Sequence, residues 1–418
     1  MSERCDYNDL GGKIMAVNPN DKSKMSVVEG SYASAHAAKV ARPQVISAYP
    51  ITPQTHIVEE LSQFMADGDI PGCEYINVES EFSAISALIG ASAAGARTYS
   101  ATTSQGLFLM HEALFNASGM RLPIVMTVVN RAVGAPINIW NDQQDSIAQR
   151  DSGWIQIYAE DTQEAADMVL QAFKIAEDKS VLLPIMVCMD GFVLSHVYEP
   201  VVLMDQKEAD EFLPPFKPDV YLDPKNPMSF GTLGDPSVYT EFRYSQEQAM
   251  KNALTVIEKA ADDFKAVTGR YYGGLIEGYS LEDAEVVIVS FGSLLGTIKD
   301  VVDEYRANGE KIGVLKVRAF RPFPTEAIAN ALKNAKAVVV VEKDISIGRN
   351  EGALFTEIKA GLYNTPARTP IISYMVGHGG RDIRPSHIKE IIEATKKVAE
   401  TGKIEVESQF NEVKEELL

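Results

Sequence analysis

Tyr49-Pro-Ile-Thr-Pro-Gln-Thr-His-Ile-Val-Glu-Glu-Leu61 is the stretch whose pattern decides the fold. Residues 45–49 form an apolar run of strand length, Pro50 and Pro53 fix backbone angles, and Ile57, Val58 and Leu61 then recur at helical spacing. A buried strand that feeds a helix through a stiff, hydroxyl-bearing turn is the repeating unit of open α/β sheets. Such sheets bind ligands in the crevice beyond the carboxyl ends of their strands. Thr52 and Thr55 stand at that mouth.

The alternation continues on both sides of this turn. Helices are expected over 32–41, 54–65, 81–94, 107–116 and 162–176, and strands over 45–49, 75–78, 98–101, 124–129 and 183–189. Strands this short and apolar on both faces imply a parallel sheet covered by helices. Between 201 and 237 the pattern stops, and six prolines from Pro214 to Pro236 oppose helix or central strand, so an extended arm is expected there. A helix over 245–265 leads to a second α/β unit with strands 286–291, 312–317, 337–341 and 371–375 and helices 294–307, 325–332 and 351–360. The expected division is a flexible arm over 1–24, a first unit over 25–268 that carries the extended arm 201–244, a smaller unit over 269–395, and a charged tail over 396–418.

The 418-residue chain is 45% hydrophobic and 23% charged, an ordinary globular composition with room for two or three cores. Its net charge of −19 argues against nucleic acid, because no basic stripe is available to displace phosphate counterions. No apolar run approaches the roughly 18 residues of a bilayer span, and Met-Ser-Glu-Arg-Cys-Asp does not look like a secretory leader, so no membrane partner and a cytoplasmic location are expected. Cys5, Cys73 and Cys188 are too far apart for a C-x-x-C pair, which leaves no iron–sulfur or zinc set within this chain. The histidines are single in sequence, and no metal ligands are expected from them.

Three further segments follow the opening turn: Val78-Glu-Ser-Glu-Phe-Ser-Ala84, Thr102-Thr-Ser-Gln-Gly-Leu107, and Val129-Asn-Arg-Ala-Val-Gly-Ala-Pro136 with Ile139-Trp-Asn-Asp142. In this order and spacing, from about residue 25 to about 393, the chain resembles the α subunit of the 2-oxoacid:ferredoxin oxidoreductases, most closely the pyruvate:ferredoxin oxidoreductases. The resemblance implies an α/β fold in which a pyrimidine-type thiamine-diphosphate-binding domain with a parallel sheet precedes a smaller transketolase C-terminal-like α/β domain. It implies that Glu81 shares a proton with the aminopyrimidine ring of the cofactor, a task that requires a carboxyl group of suitable pKa in a desolvated pocket. Glu79 is the fallback for that role. The bland alternative for Glu81 is an acidic residue complementing a helix N-terminus.

By the same resemblance, Thr52 and Arg131 hold the 2-oxoacid carboxylate, Tyr49 shares their mouth, and Phe82, Ser104 and Gln105 lie beside the cofactor ring. A guanidinium fork suits a carboxylate, although a surface ion pair is the ordinary use of such an arginine. Threonine at position 52, where an oxalate-specific relative would carry a second arginine, disfavours oxalate. The segment 139–154 is polar and aromatic together, and fits an interface as well as a site. The glycine-rich run Gly377-His-Gly-Gly-Arg381 suggests packing or coenzyme A access, or a loop that merely turns.

The cofactor's diphosphate requires a Gly-Asp-Gly motif and a following asparagine to hold a bridging Mg2+, and this chain contains no Gly-Asp-Gly. The resemblance therefore implies a β subunit that carries the diphosphate and metal site. It also implies γ and δ ferredoxin-like subunits with the iron–sulfur clusters, coenzyme A as co-substrate, ferredoxin as electron acceptor, and a dimer of heteromers. The implied reaction is oxidative decarboxylation of pyruvate to acetyl-CoA and CO2, run reversibly. Branched-chain 2-oxoacids or 2-oxoglutarate remain open as substrates, as does a non-catalytic assembly scaffold of the same fold.

Overall fold

The computed structural model describes residues 25–365 and 369–418, so the arm expected over 1–24 lies outside the described residues. The strands are β1 (Met25–Glu29), β2 (Val45–Ala48), β3 (Glu74–Asn77), β4 (Thr98–Thr102), β5 (Val125–Asn130), β6 (Ile155–Tyr158), β7 (Ile185–Asp190), β8 (Tyr198–Val202), β9 (Ile276–Tyr279), β10 (Val286–Ser290), β11 (Ile312–Val317), β12 (Ala319–Arg321), β13 (Ala337–Glu342), β14 (Ile371–Met375) and β15 (Ser408–Phe410). One sheet has the order β12-β6-β7-β5-β4-β2-β3 and a second has the order β15-β14-β13-β10-β11-β9. In each, all pairs are parallel except one at the edge, β12 with β6 and β9 with β11. A separate antiparallel ribbon joins β1 to β8.

Sequence explains the core strands. Val125-Met-Thr-Val-Val-Asn130 and Ala337-Val-Val-Val-Val-Glu342 are buried at every position because helices cover both faces of a parallel sheet. Strand order then locates the crevice. The chain runs from β2 outward to β3 and crosses back over β2 to lay β4 on its other side, so the turns leaving β2 and β4 diverge and open a gap at the carboxyl edge.

Several expectations need correction. Residues 201–237 are not wholly irregular: Gln206–Phe212 is helical, started by an Asp205–Glu208 capping box before the first proline of the run. The long helix Tyr239–Thr268 begins well before 245 and takes over the end of the expected arm. The stretch expected as one helix over 107–116 is two, Ser104–Leu109 and His111–Gly119, and the first begins immediately after β4. The charged tail includes a strand, β15, which pairs parallel with β14 and adds to the second sheet.

The two sheets are tied by a buried ion cluster. Glu164 follows the Asp161 cap of the helix Thr162–Ala176 and meets Lys316 Nζ at 2.7 Å and Arg318 Nε at 3.0 Å from β11 and its exit. Arg318 spends its remaining donors on Gln171 Oε1 (2.9 Å) and the Gly274 carbonyl (3.0 Å). Burial disfavours ionised Glu164, yet the two cations hold its carboxyl below the ordinary range, so the cluster is charged and mutually satisfied. Glu164→Ala would leave two buried cations under-compensated. It is expected to cost about 3–5 kcal/mol, read as a lower denaturation midpoint; a loss within experimental error would show that the cluster is not what joins the units.

Candidate functional site

The turns after β2, β3, β4, β5 and β7 leave on one edge of the first sheet, because these strands are parallel. After β3, Ser80 caps the helix Glu81–Ala93, its Oγ accepting from Ser83 N at 3.2 Å, which puts Glu81 in the first turn. Glu81 is 6% exposed, and its carboxylate has no hydrogen-bond or ion-pair partner among the described residues. Glu79 points outward and accepts from the Ser83 hydroxyl.

The space for the Glu81 carboxylate comes from Gly106. A Cβ at that position would lie 2.6 Å from Glu81 Oε1 and 2.8 Å from Thr102 Oγ1. Among the described residues the Thr102 hydroxyl is buried without a partner. The Glu81 carboxylate and the Thr102 hydroxyl thus flank one glycine at the crevice, and Phe82, next to Glu81 in sequence, is 42% exposed. Isolated carboxyl groups are costly to bury, and such an arrangement suits a heterocycle that brings its own donors and acceptors.

On the other side of the gap, buried Gln54 ties the turn after β2 to β4. Its Oε1 accepts from Ile51 N at 3.1 Å and its Nε2 donates to the Ala101 carbonyl at 2.9 Å. Thr52 is exposed and Tyr49 half-buried at the same turn. Arg131 reaches across from the end of β5: Nη1 donates to the Thr52 carbonyl at 2.7 Å and Nε to the Asn138 carbonyl at 2.9 Å. Its Nη2 has no partner among the described residues, and burial shifts its pKa below the ordinary guanidinium value. Thr52 and Arg131 are therefore brought together, with one donor edge of the fork uncommitted.

Ser104 and Gln105 open the helix after β4. Ser104 is held at φ +44°, with its hydroxyl 2.5 Å from both the Ala132 carbonyl and Gln105 Oε1. A non-glycine residue in the left-handed region is strained, and the restraint that holds it is Asp145. This fully buried carboxylate accepts from Ser104 N (2.9 Å), Arg131 N (3.1 Å), Asn130 Nδ2 (2.8 Å) and Ser146 N (2.8 Å), and so pins the turns after β4 and β5 to each other. Burial raises its pKa to about 6 despite these donors. Nearby Asp142 is raised to about 7, first by burial and then by the Asp145 charge.

Segment 139–154 divides between two surroundings. Trp140 and, just ahead of the segment, Ile137 are exposed at 55% and 81%, while Trp154 is core and Asn141, Gln143 and Asp145 are buried within the chain. Asn141 Nδ2 and Gln143 Nε2 each donate to Asp190 Oδ1 at 3.1 Å, and Lys343 Nζ of the second unit reaches Asp190 Oδ2 at 3.0 Å. Burial opposes ionised Asp190, but Lys343 and Ser293 hold its carboxyl below the ordinary range. The 377–381 run packs on residues 138–142, with Gly379 N donating to Asp142 Oδ2 at 3.2 Å.

Sequence missed the clip at Asp145 and the tie at Gln54, because nothing in one strand-end motif reveals which neighbouring turn it will meet. It also treated the histidines as single, whereas the fold brings His56 and His196 together, their rings tilted by 31° with centroids 4.4 Å apart. Among the described residues no group of His, Cys, Asp or Glu is arranged to hold a metal ion. A cleft of about 800 Å3 between the Tyr239–Thr268 helix and residues 321–330 includes none of the residues above.

Residues 36–262 match the family described as pyruvate flavodoxin/ferredoxin oxidoreductase, thiamine diphosphate binding, and residues 284–388 match pyruvate:ferredoxin oxidoreductase core domain II. The chain is 68% identical over 402 residues to pyruvate synthase subunit PorA of Methanosarcina barkeri, spanning 96% of this chain and 100% of that one. It is 48% identical over 401 residues to ketoisovalerate oxidoreductase subunit VorA of Pyrococcus horikoshii, spanning 96% of this chain and 100% of that one. The fold is similar, with a TM-score of 0.69 and 18% identity, to 2-oxoglutarate:ferredoxin oxidoreductase from Magnetococcus marinus, solved with 2-oxoglutarate, coenzyme A and succinyl-CoA bound, over 90% of this chain and 66% of that one. A crevice at the strand switch, a thiamine-diphosphate-binding domain followed by a second α/β domain, and identity over nearly the whole chain converge: the protein belongs to the α subunits of the 2-oxoacid:ferredoxin oxidoreductases.

Proposed function

We propose that this chain is the pyrimidine-side subunit of a pyruvate:ferredoxin oxidoreductase, which with its partners converts pyruvate and coenzyme A to acetyl-CoA and CO2 while reducing ferredoxin, and runs in reverse with a strong reductant. The observation that carries this reading is the Glu81 carboxylate against Gly106, on a residue only 6% exposed and without a hydrogen-bond or ion-pair partner among the described residues. That set fits the aminopyrimidine of thiamine diphosphate: an acid to share a proton with a ring nitrogen, and a glycine that leaves room for its carboxylate. When bound, the cofactor supplies the carbon nucleophile and electron sink.

The protein's own share is binding and proton placement. Glu81 holds a proton at the ring nitrogen. Arg131 Nη2, aided by Thr52, receives the 2-oxoacid carboxylate, with Tyr49 at the mouth. Phe82, Ser104 and Gln105 border the ring. The alternatives of a branched-chain 2-oxoacid or 2-oxoglutarate are less supported, since the 68% relative is named for pyruvate and the 48% relative for ketoisovalerate. A non-catalytic scaffold has no physical need for Glu81, Thr52 and Arg131 together.

Partners follow from what the chain lacks. Without Gly-Asp-Gly, the Mg2+ and diphosphate fall to a β subunit, and exposed Phe82 and Trp140 are available for it to cover. Cys73 and Cys188 are both buried, so iron–sulfur clusters are assigned to γ and δ subunits that pass electrons to ferredoxin. Coenzyme A enters as co-substrate, and the assembly is a cytoplasmic dimer of heteromers. Among the described residues no helix is long and apolar enough to cross a membrane.

Glu81→Ala is expected to reduce 2-oxoacid turnover of the reconstituted complex by roughly 10²-fold or more while assembly persists. Gly106→Ala should act in the same direction by displacing the carboxylate. Thiamine fluorescence quenching and turnover together check this, and normal turnover in Glu81→Ala excludes the role. A pH test follows from Asp145. Its raised pKa means that its contribution to stability is largest at low pH and is lost as pH rises through about 6. Binding runs the other way, because protonation removes an acceptor that positions Arg131. KM for pyruvate should therefore rise as pH falls through about 6 in the wild type, and Asp145→Asn should abolish that limb of the profile.

A further inference from the structure

The guanidinium of Arg131 is aimed by two backbone carbonyls, those of Thr52 and Asn138. Thr52 lies on a turn stiffened by two prolines and tied by Gln54. Asn138 follows a segment that is exposed from Gly134 to Ile137. Support comes from the second unit: Asn138 Nδ2 donates to the Gly379 carbonyl at 3.0 Å, and Gly380 N donates to the Asn141 carbonyl at 2.6 Å. The same amide receives Trp140 N on Oδ1 at 2.7 Å, so one side chain braces its own loop and the neighbouring unit at once. Gly379 has φ +60°, and a Cβ there would lie 2.3 Å from Asn138 Nδ2, so only glycine permits the approach.

We propose that the 377–381 loop and Asn138 are positioning residues for the 2-oxoacid: the second unit sets the angle of the Arg131 fork through the Asn138 carbonyl. This inference rests on the assignment of Arg131 to the substrate carboxylate. Asn138→Ala keeps the carbonyl that Arg131 uses but deletes the amide that fixes it. Gly379→Ala keeps the amide and pushes it away. Since a misplacement of about 1 Å at a binding group can change rates by up to about 10²-fold, each substitution should alter how substrate is held rather than how the cofactor is held.

The experiment measures KM and kcat for pyruvate, and thiamine diphosphate affinity, in the reconstituted complex carrying Asn138→Ala, Gly379→Ala or Arg131→Lys. The expected result is a KM raised about tenfold in both loop variants, with kcat within about twofold and thiamine diphosphate affinity unchanged. A merely structural role would lower kcat per mole of complex and leave KM alone. A KM that rises in Arg131→Lys but not in Asn138→Ala or Gly379→Ala overturns the positioning role; an unchanged KM in Arg131→Lys overturns the carboxylate assignment beneath it.

Discussion

The crevice is organised around the Glu81 carboxyl group and the glycine that makes room for it. Glu81 sits in the first turn of its helix, where a Cβ at Gly106 would lie 2.6 Å from its Oε1, and among the described residues the Thr102 hydroxyl beside it is buried without a partner. Folded proteins seldom leave such groups unsatisfied, because an orphaned buried polar atom costs the full desolvation of that group. The sheet supplies the opening, since the strand order reverses between β2 and β4 at this point.

Everything else at the mouth serves to hold turns that would otherwise move independently. Gln54 ties the turn after β2 to β4, and Asp145 ties the turn after β4 to the one after β5. Asp190, Lys343 and Asn141 carry the restraint into the second unit. Neutral hydrogen bonds contribute modestly each, so rigidity comes from their being shared: one carboxylate with four donors fixes more backbone than four separate pairs. The strained φ of Ser104 persists because Asp145 overdetermines it.

The alternation of apolar runs and helical periods carried the fold, because parallel strands buried on both faces are written locally as runs such as Val338-Val-Val-Val341. Edge elements were harder. β12 is three residues ending in an arginine and β15 is Ser-Gln-Phe, each a strand only because a neighbour offers a ladder; β6, inside the sheet between β12 and β7, is four residues with a glutamine among them. The helix Gln206–Phe212 was obscured by the prolines that follow it. At the site, Glu81, Thr52 and Arg131 stood out through motif order. Gln54, Asp145 and Asn138 did not, since their partners lie on other turns and, for Asn138, on the other unit.

The most direct measurement is a high-resolution structure of the assembled complex with thiamine diphosphate bound. A Glu81 carboxylate oxygen should lie about 2.6–2.9 Å from a pyrimidine ring nitrogen, with the ring against Gly106 and the diphosphate on another chain. A side chain at position 81 turned to bulk solvent, with no heterocycle beside its helix, would contradict the assignment.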